Sequence, residues 1–189
     1  MKILETARLA LRTVEVEDAP FYLNVVNDPA FIANIGDRGI RTLAAARDAI
    51  SAGPVAMQAS LGFSIWLVEL KDSGVAIGMS GLIKRESLPG VDIGYAFLPA
   101  YTRKGYAFEA AAAVVEHART VVKLEELLAI TGPDNIASGA LLEKLGMRFE
   151  KMVELTPGAP ATRLFSMALQ AGAVAPSPVA APPAQALPS

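Results

Sequence analysis

Three strand-like runs, 63–70, 75–84 and 91–98, follow one another through the turn-rich links Lys71-Asp72-Ser73-Gly74 and Ser87-Leu88-Pro89-Gly90. Links this short predict an antiparallel meander. Upstream, 9–13 reads as a first strand, with Leu9 and Leu11 on one face and Arg8, Ala10 and Arg12 on the other. A helix is expected to start near Glu17-Asp18, with Pro20 in its first turn and an apolar stripe of Phe21, Val25 and Val26, and to end at Asp28-Pro29. A further short helical turn, 31–35, precedes the loop Gly36-Asp37-Arg38-Gly39. Thr42 caps a second helix over 43–51, which Gly53-Pro54 are expected to stop.

Downstream of the meander, the pattern predicts a helix over 106–121 and a strand over 127–131. After the break Gly132-Pro133-Asp134 comes a helix over 135–145, ending at Gly146. Two closing strands, 147–155 and 163–169, flank the turn Pro157-Gly158-Ala159-Pro160. Strand, crossover helix, strand is the parallel unit, so the sheet should be antiparallel first and parallel in the middle. The expected fold is a single α/β (α+β) domain over 1–169. The Ala-, Pro- and Val-rich remainder, 170–189, has no periodicity and is expected to be a disordered tail.

Composition narrows the chemistry. A formal net charge of −2 gives no global attraction to nucleic acid or an anionic membrane, so any anion site must be local. The absence of cysteine removes disulfides, thiolate metal sites and a cysteine nucleophile, and a single histidine argues against a metal centre. The N-terminus lacks the apolar core of a signal peptide, and no window approaches the ~20 apolar residues of a membrane span. A cytoplasmic protein with no metal, nucleic-acid or membrane partner is the expectation.

Chemistry concentrates in 91–109, VDIGYAFLPAYTRKGYAFE. Alternation puts Val91, Ile93, Tyr95 and Phe97 on one strand face and Asp92, Gly94 and Ala96 on the other, which is nearly bare. A bare face leaves room for a ligand or for a closely packed helix backbone. The turn that follows adds Arg103, Lys104, Gly105, Tyr106 and Ala107 at a helix start, where free N–H groups and the helix dipole suit a phosphate. In the later helix, Ser138 shares the inward face with Leu141, Leu142 and Leu145, and Asn135 sits where an N-cap belongs. The inserted helices bring Phe31, Asn34 and Arg38 toward the place where a substrate cleft would lie, or leave them in a connecting loop.

The segments IGYAFLPAYTRKGYAFEA and NIASGALLEKLGMRFE, with the opening LETARLALRTVEVEDAPFYLNVVNDP, resemble the GNAT superfamily of N-acetyltransferases, and within it the ribosomal-protein N-terminal acetyltransferase-like branch. The resemblance covers roughly residues 4 to 169. It implies a mixed, mostly antiparallel central sheet with helices on both faces and a splayed parallel strand pair for CoA. The family's phosphate-loop pattern, Gln/Arg-x-x-Gly-x-Gly/Ala, falls on Thr102 to Ala107, with Thr102 in place of the leading Gln or Arg.

By the same resemblance, acetyl-CoA is the co-substrate, with its pyrophosphate on Arg103 to Ala107 and its arm along the strand ending at Leu98, contacting Asn135. An N–H near Phe97 or Leu98 would serve the oxyanion. Asp92 stands where relatives carry a glutamate base, and serves either as that base, through water, or in a supporting structural role. Many relatives use a tyrosine acid at the position of Leu142, for which Ser138 is the available substitute. The acceptor is a primary amine: a protein N-terminus, or a small molecule such as a polyamine, amino acid or aminoglycoside. A non-catalytic acyl-CoA-binding module is the alternative. Homodimers are common in the family, and no sequence feature decides the point.

Overall fold

The computed structural model describes residues 1–169, so the expected tail lies outside the described residues. Eight strands form one sheet in the order β1-β2-β3-β4-β5-β6-β8-β7. They are β1 (Lys2–Glu5), β2 (Leu9–Thr13), β3 (Ile65–Leu70), β4 (Ala76–Lys84), β5 (Val91–Phe97), β6 (Glu126–Thr131), β7 (Arg148–Val153) and β8 (Thr162–Ala168). Every neighbouring pair is antiparallel except β5 and β6, which are parallel. The meander is as expected. β1 is an addition that the sequence pattern did not separate from β2.

Six helices cover the sheet: α1 (Ala19–Val26), α2 (Pro29–Ile35), α3 (Leu43–Ile50), α4 (Ala56–Leu61), α5 (Tyr106–His117) and α6 (Ile136–Lys144). Their distribution follows the apolar periodicities. On one face, Ala110, Ala111 and Val114 of α5 and Leu142 of α6 pack with Leu9, Trp66, Ile93 and Leu127 of the strands. On the other, Ala19 of α1 and Ala46 and Ile50 of α3 meet Leu67 of β3. Small residues on α5 let it lie close to the strands. His117, at the end of α5, stacks edge-on against Trp66 at 5.1 Å.

One expected stop is overturned. Gly53-Pro54 does not end the helix that begins at Leu43: the backbone widens into a π-turn over Ser51–Val55 and continues as α4. In that turn the Ala56 N–H reaches back to the Ser51 carbonyl, five residues away. The wider turn makes room for the Pro54 ring and absorbs its missing donor. The helix stops at Gly62, which is left-handed with φ of 77°.

The last hairpin settles the far edge. β8, with buried Leu164 and Phe165, inserts beside β6, while β7 (RFEKMV) forms the exposed edge. Charged residues on an edge strand oppose pairing with another chain.

Candidate active site

The site begins with the two parallel strands. β5 and β6 share a single paired position, Asp92 with Leu128, and are unpaired beyond it. The Leu98 N–H donates to the Ile77 carbonyl at 3.0 Å. Because backbone polar groups alternate between the two edges of a strand, those of Tyr95 and Phe97 point the other way, into the gap between β5 and β6. Of the two expected oxyanion donors, Phe97 therefore has a free-facing N–H, and that of Leu98 is already used by the sheet.

At the end of this gap α5 begins. Gly105 is its N-cap, left-handed with φ of 83°, and no side chain caps the helix. The first intrahelical bond runs from the Glu109 N–H to the Gly105 carbonyl, which leaves the earlier N–H groups of the first turn without intrahelical partners. Glu109 accepts from Thr6 Oγ1 (2.6 Å), the Arg8 N–H (2.9 Å) and Arg8 Nε (2.7 Å), and Arg8 Nη1 donates to the Lys104 carbonyl at 3.1 Å. The N-terminal hairpin thus fixes where the helix start points.

A cavity of about 1060 Å³ runs through the gap and is lined from both faces of the sheet. From the α5–α6 side come Arg103, Gly105, Ala107, Asn135 and Ser138; from the α1–α2 side come Tyr22, Phe31, Asn34 and Arg38. Phe97 and Leu98 line it between these groups. Lys104 and Tyr106 do not belong to its wall. The Lys104 ammonium sits over the Tyr101 ring, and the Tyr106 ring packs under the Arg8 guanidinium at 4.4 Å. Asn135 caps α6 by accepting from the Ser138 N–H at 3.1 Å. Asn34 is exposed, and its side-chain amide donates to the Ala30 carbonyl.

The bare strand face opens into the cavity from the α1–α4 side of the sheet. In the β4–β5 register, Ala96 faces Met79, Gly94 faces Gly81 and Asp92 faces Ile83, on the α1–α4 side of the sheet. The Ile83 side chain covers Gly94: a Cβ added there would lie 2.7 Å from Ile83 Cδ1. Even so, Asp92, Gly94 and Ala96 line the cavity together with Met79 and Ile83, so this face and the gap between the strands bound one open space beside β5.

Two side-chain pairs stand out. Asp92 is fully buried, and both its oxygens accept from Arg85 Nε, at 2.9 and 3.0 Å. Burial pushes its carboxyl above the usual range, against the Arg85 bonds that pull it down. On the opposite face, Tyr95 Oη and Ser138 Oγ are 2.9 Å apart. Burial raises the Tyr95 phenol, and its bond to Ser138 opposes the shift. Leu142 is 1% exposed in the core, so that position holds no acid. Sequence reasoning missed Arg85 and Tyr95. The alternation of β5 gave the face of Tyr95 but not the approach of α6.

A mixed sheet with one splayed parallel pair, a helix start at its open end and a cavity through the split are the frame of an acyltransferase fold. The chain belongs to the GNAT acetyltransferase family, whose domain model matches residues 8–148. Acetyl transfer to an amine is the activity this family supports. The chain is 28% identical over 153 residues to the Bacillus subtilis protein YkkB, covering 79% of this chain and 87% of that one. Its fold is similar to Mycobacterium smegmatis RimJ in complex with CoA-disulfide, with a TM-score of 0.71 and 21% identity over 85% of this chain and 81% of that one. It is also similar to Vibrio cholerae spermidine N-acetyltransferase in complex with CoA and spermine, with a TM-score of 0.73 and 15% identity over 87% and 97%. No helix among the described residues is long and apolar enough to cross a membrane.

Proposed function

We propose that this chain transfers the acetyl group of acetyl-CoA to a primary α-amine, with a protein N-terminus as the leading acceptor. One observation carries the reading: a single cavity joins the uncapped start of α5 on one face of the sheet to the α1–α2 cleft on the other, through the gap between β5 and β6. A donor bound from one side and an amine entering from the other would meet in that gap. The fold likeness to RimL, a ribosomal L7/L12 alpha-N-protein acetyltransferase, supports the N-terminal acceptor; the likeness to the spermidine enzyme keeps small amines as the alternative.

The residues fit the donor. The N–H groups at the start of α5 and the Arg103 guanidinium would hold the pyrophosphate. The unpaired edge of β5 at Tyr95 and Phe97 matches an amide-bearing arm that adds to the sheet as a strand would, and Asn135 closes the other side of the gap. In the reaction, the amine nitrogen forms a bond to the thioester carbonyl carbon and the carbon–sulfur bond breaks. The N–H of Phe97 faces the developing oxyanion. Ser138, backed by the Tyr95 phenol, supplies a proton to the departing sulfur.

The amine needs less help. An α-amine titrates near ~7.7–8.0 and is partly neutral at physiological pH, so its proton can leave through water. Asp92 was expected either as the base or in a supporting structural role. With both oxygens engaged by Arg85, it acts by holding that arginine in place.

Titration calorimetry with acetyl-CoA tests the reading. The wild-type chain binds it, and Gly105→Glu, which places a carboxylate at the phosphate position, abolishes binding; unchanged affinity in the variant sinks the proposal. CoA release with a panel of amines then separates an enzyme from a binding module, which would bind and release none above background.

A further inference from the structure

Arg85 stands at the mouth of the acceptor cleft with most of its hydrogen-bonding capacity unspent. Only its Nε is bonded, to Asp92; its two Nη groups have no partner among the described residues. The side chain is 26% exposed and lines the cavity. A guanidinium held at Nε by a buried carboxylate presents a pre-oriented donor edge, the geometry that suits an incoming carboxylate. Its loop is fixed as well: Lys84 Nζ donates to the carbonyls of Leu88, Pro89 and Gly90 at 3.1, 2.9 and 3.3 Å.

The other charges of the cleft point the same way. Arg38 lines the cavity with no hydrogen bond or ion pair among the described residues. The aspartates that line it are Asp28 and Asp92. Asp28 caps α2 through the Ala30 N–H at 2.8 Å, and Asp92 is committed to Arg85. A polycationic acceptor would need free carboxylates, and the cleft offers unpaired guanidinium groups.

Resting on the acetyl-transfer reading above, we infer that the acceptor carries a carboxylate close to its amine and that Arg85, braced by Asp92, receives it. Two sources share that chemistry: a free amino acid, and a peptide whose first residue is acidic. Arg38, on the loop after α2, adds a second cation on the same side and favours anionic acceptors further.

The test uses the full chain saturated with CoA. Glutarate, a carboxylate with no amine, is titrated while the arginine Nε–H resonances are followed by NMR, the Arg85 signal being assigned by its loss on substitution. A saturable shift of that signal at millimolar glutarate is expected, with none on adding spermidine. The double variant Arg85→Gln/Asp92→Asn, which replaces the ion pair by a neutral amide pair and so strands no buried charge, is expected to weaken glutarate binding at least tenfold by titration calorimetry, and unchanged affinity overturns the inference. CoA release then compares alanine with alaninamide, and amidated Asp-Ala-Ala with amidated Asn-Ala-Ala. At least a tenfold preference in kcat/KM for one acidic member is expected, abolished in the double variant; whichever pair shows it identifies the source. Absence of a saturable shift at Arg85, or spermidine turned over as fast as every acidic acceptor, overturns the inference. Failure of acetyl-CoA itself to bind overturns the acetyl-transfer reading, while the glutarate titration of the unliganded chain still reports on Arg85.

Discussion

The hydroxyls of Tyr95, on β5, and Ser138, on α6, meet at 2.9 Å beside the gap that divides β5 from β6. Two residues 43 positions apart, one on a strand and one on a helix, thus converge on one proton-bearing pair. The pair occupies the region that Leu142 leaves without an acid. Either oxygen can donate to the other, but only the arrangement in which Tyr95 donates leaves the Ser138 proton free for a leaving group.

If the pair acts as a unit, removing either member removes most of its effect. Ser138→Ala is expected to lower kcat by about 100-fold, the lower end of general-acid contributions. Tyr95→Phe, which keeps the ring in the core and deletes the hydroxyl, should cost about tenfold. The double variant should be no slower than Ser138→Ala alone, because groups in one network are not additive. Steady-state CoA release checks this, and losses that multiply would mean two independent roles.

Glu109 offers a prediction about stability and pH. Burial alone would raise its carboxyl, but the bonds from Thr6, the Arg8 N–H and the Arg8 guanidinium outweigh burial and hold it below its ordinary value. A carboxyl depressed on folding contributes stability that is present above its unfolded value of about 4.3 and lost as pH falls through the folded value. Glu109→Gln should therefore lower stability at pH 7 by about 1.5–3 kcal/mol, the range for hydrogen bonds to a charged group. The difference from wild type should shrink as the pH is lowered through the acid range. Urea unfolding at pH 7 and pH 3 checks both parts.

The strand order of the meander and the mixed sheet were legible because they follow from link length and from periodicity, which are local. Asn135 as a cap and Gly105 as a helix start were legible for the same reason. The partners of the site were not. Arg85 stands seven residues before Asp92 in a stretch that reads only as a turn, and nothing in the spacing shows that the loop folds back over the strand. Thr6 and Arg8 lie 103 and 101 residues from Glu109, through which they fix the helix start. The Gly53-Pro54 stop misled because a helix breaker in sequence can be absorbed by one wider turn when the flanking turns are anchored by packing, as Ala46 and Ile50 are here.

The paired glycines at the centre of the sheet separate two reasons for having no side chain. Gly81 and Gly94 face each other across β4 and β5. A Cβ on Gly81 would lie 2.2 Å from the Ser64 carbonyl oxygen and 2.7 Å from the Ile65 Cα, both backbone atoms that cannot move without shifting β3. A Cβ on Gly94 would meet the far methyl of Ile83, which can rotate away. Gly81→Ala is therefore expected to lower stability by about 1–3 kcal/mol, as overpacking does. For Gly94→Ala the loss should be smaller, since removing a strand glycine returns roughly 0.5–1 kcal/mol of backbone entropy. Urea midpoints at unchanged slope measure both. Equal losses would mean that Ile83 is as firmly held as the backbone, and that this face of β5 is rigid and not adaptable.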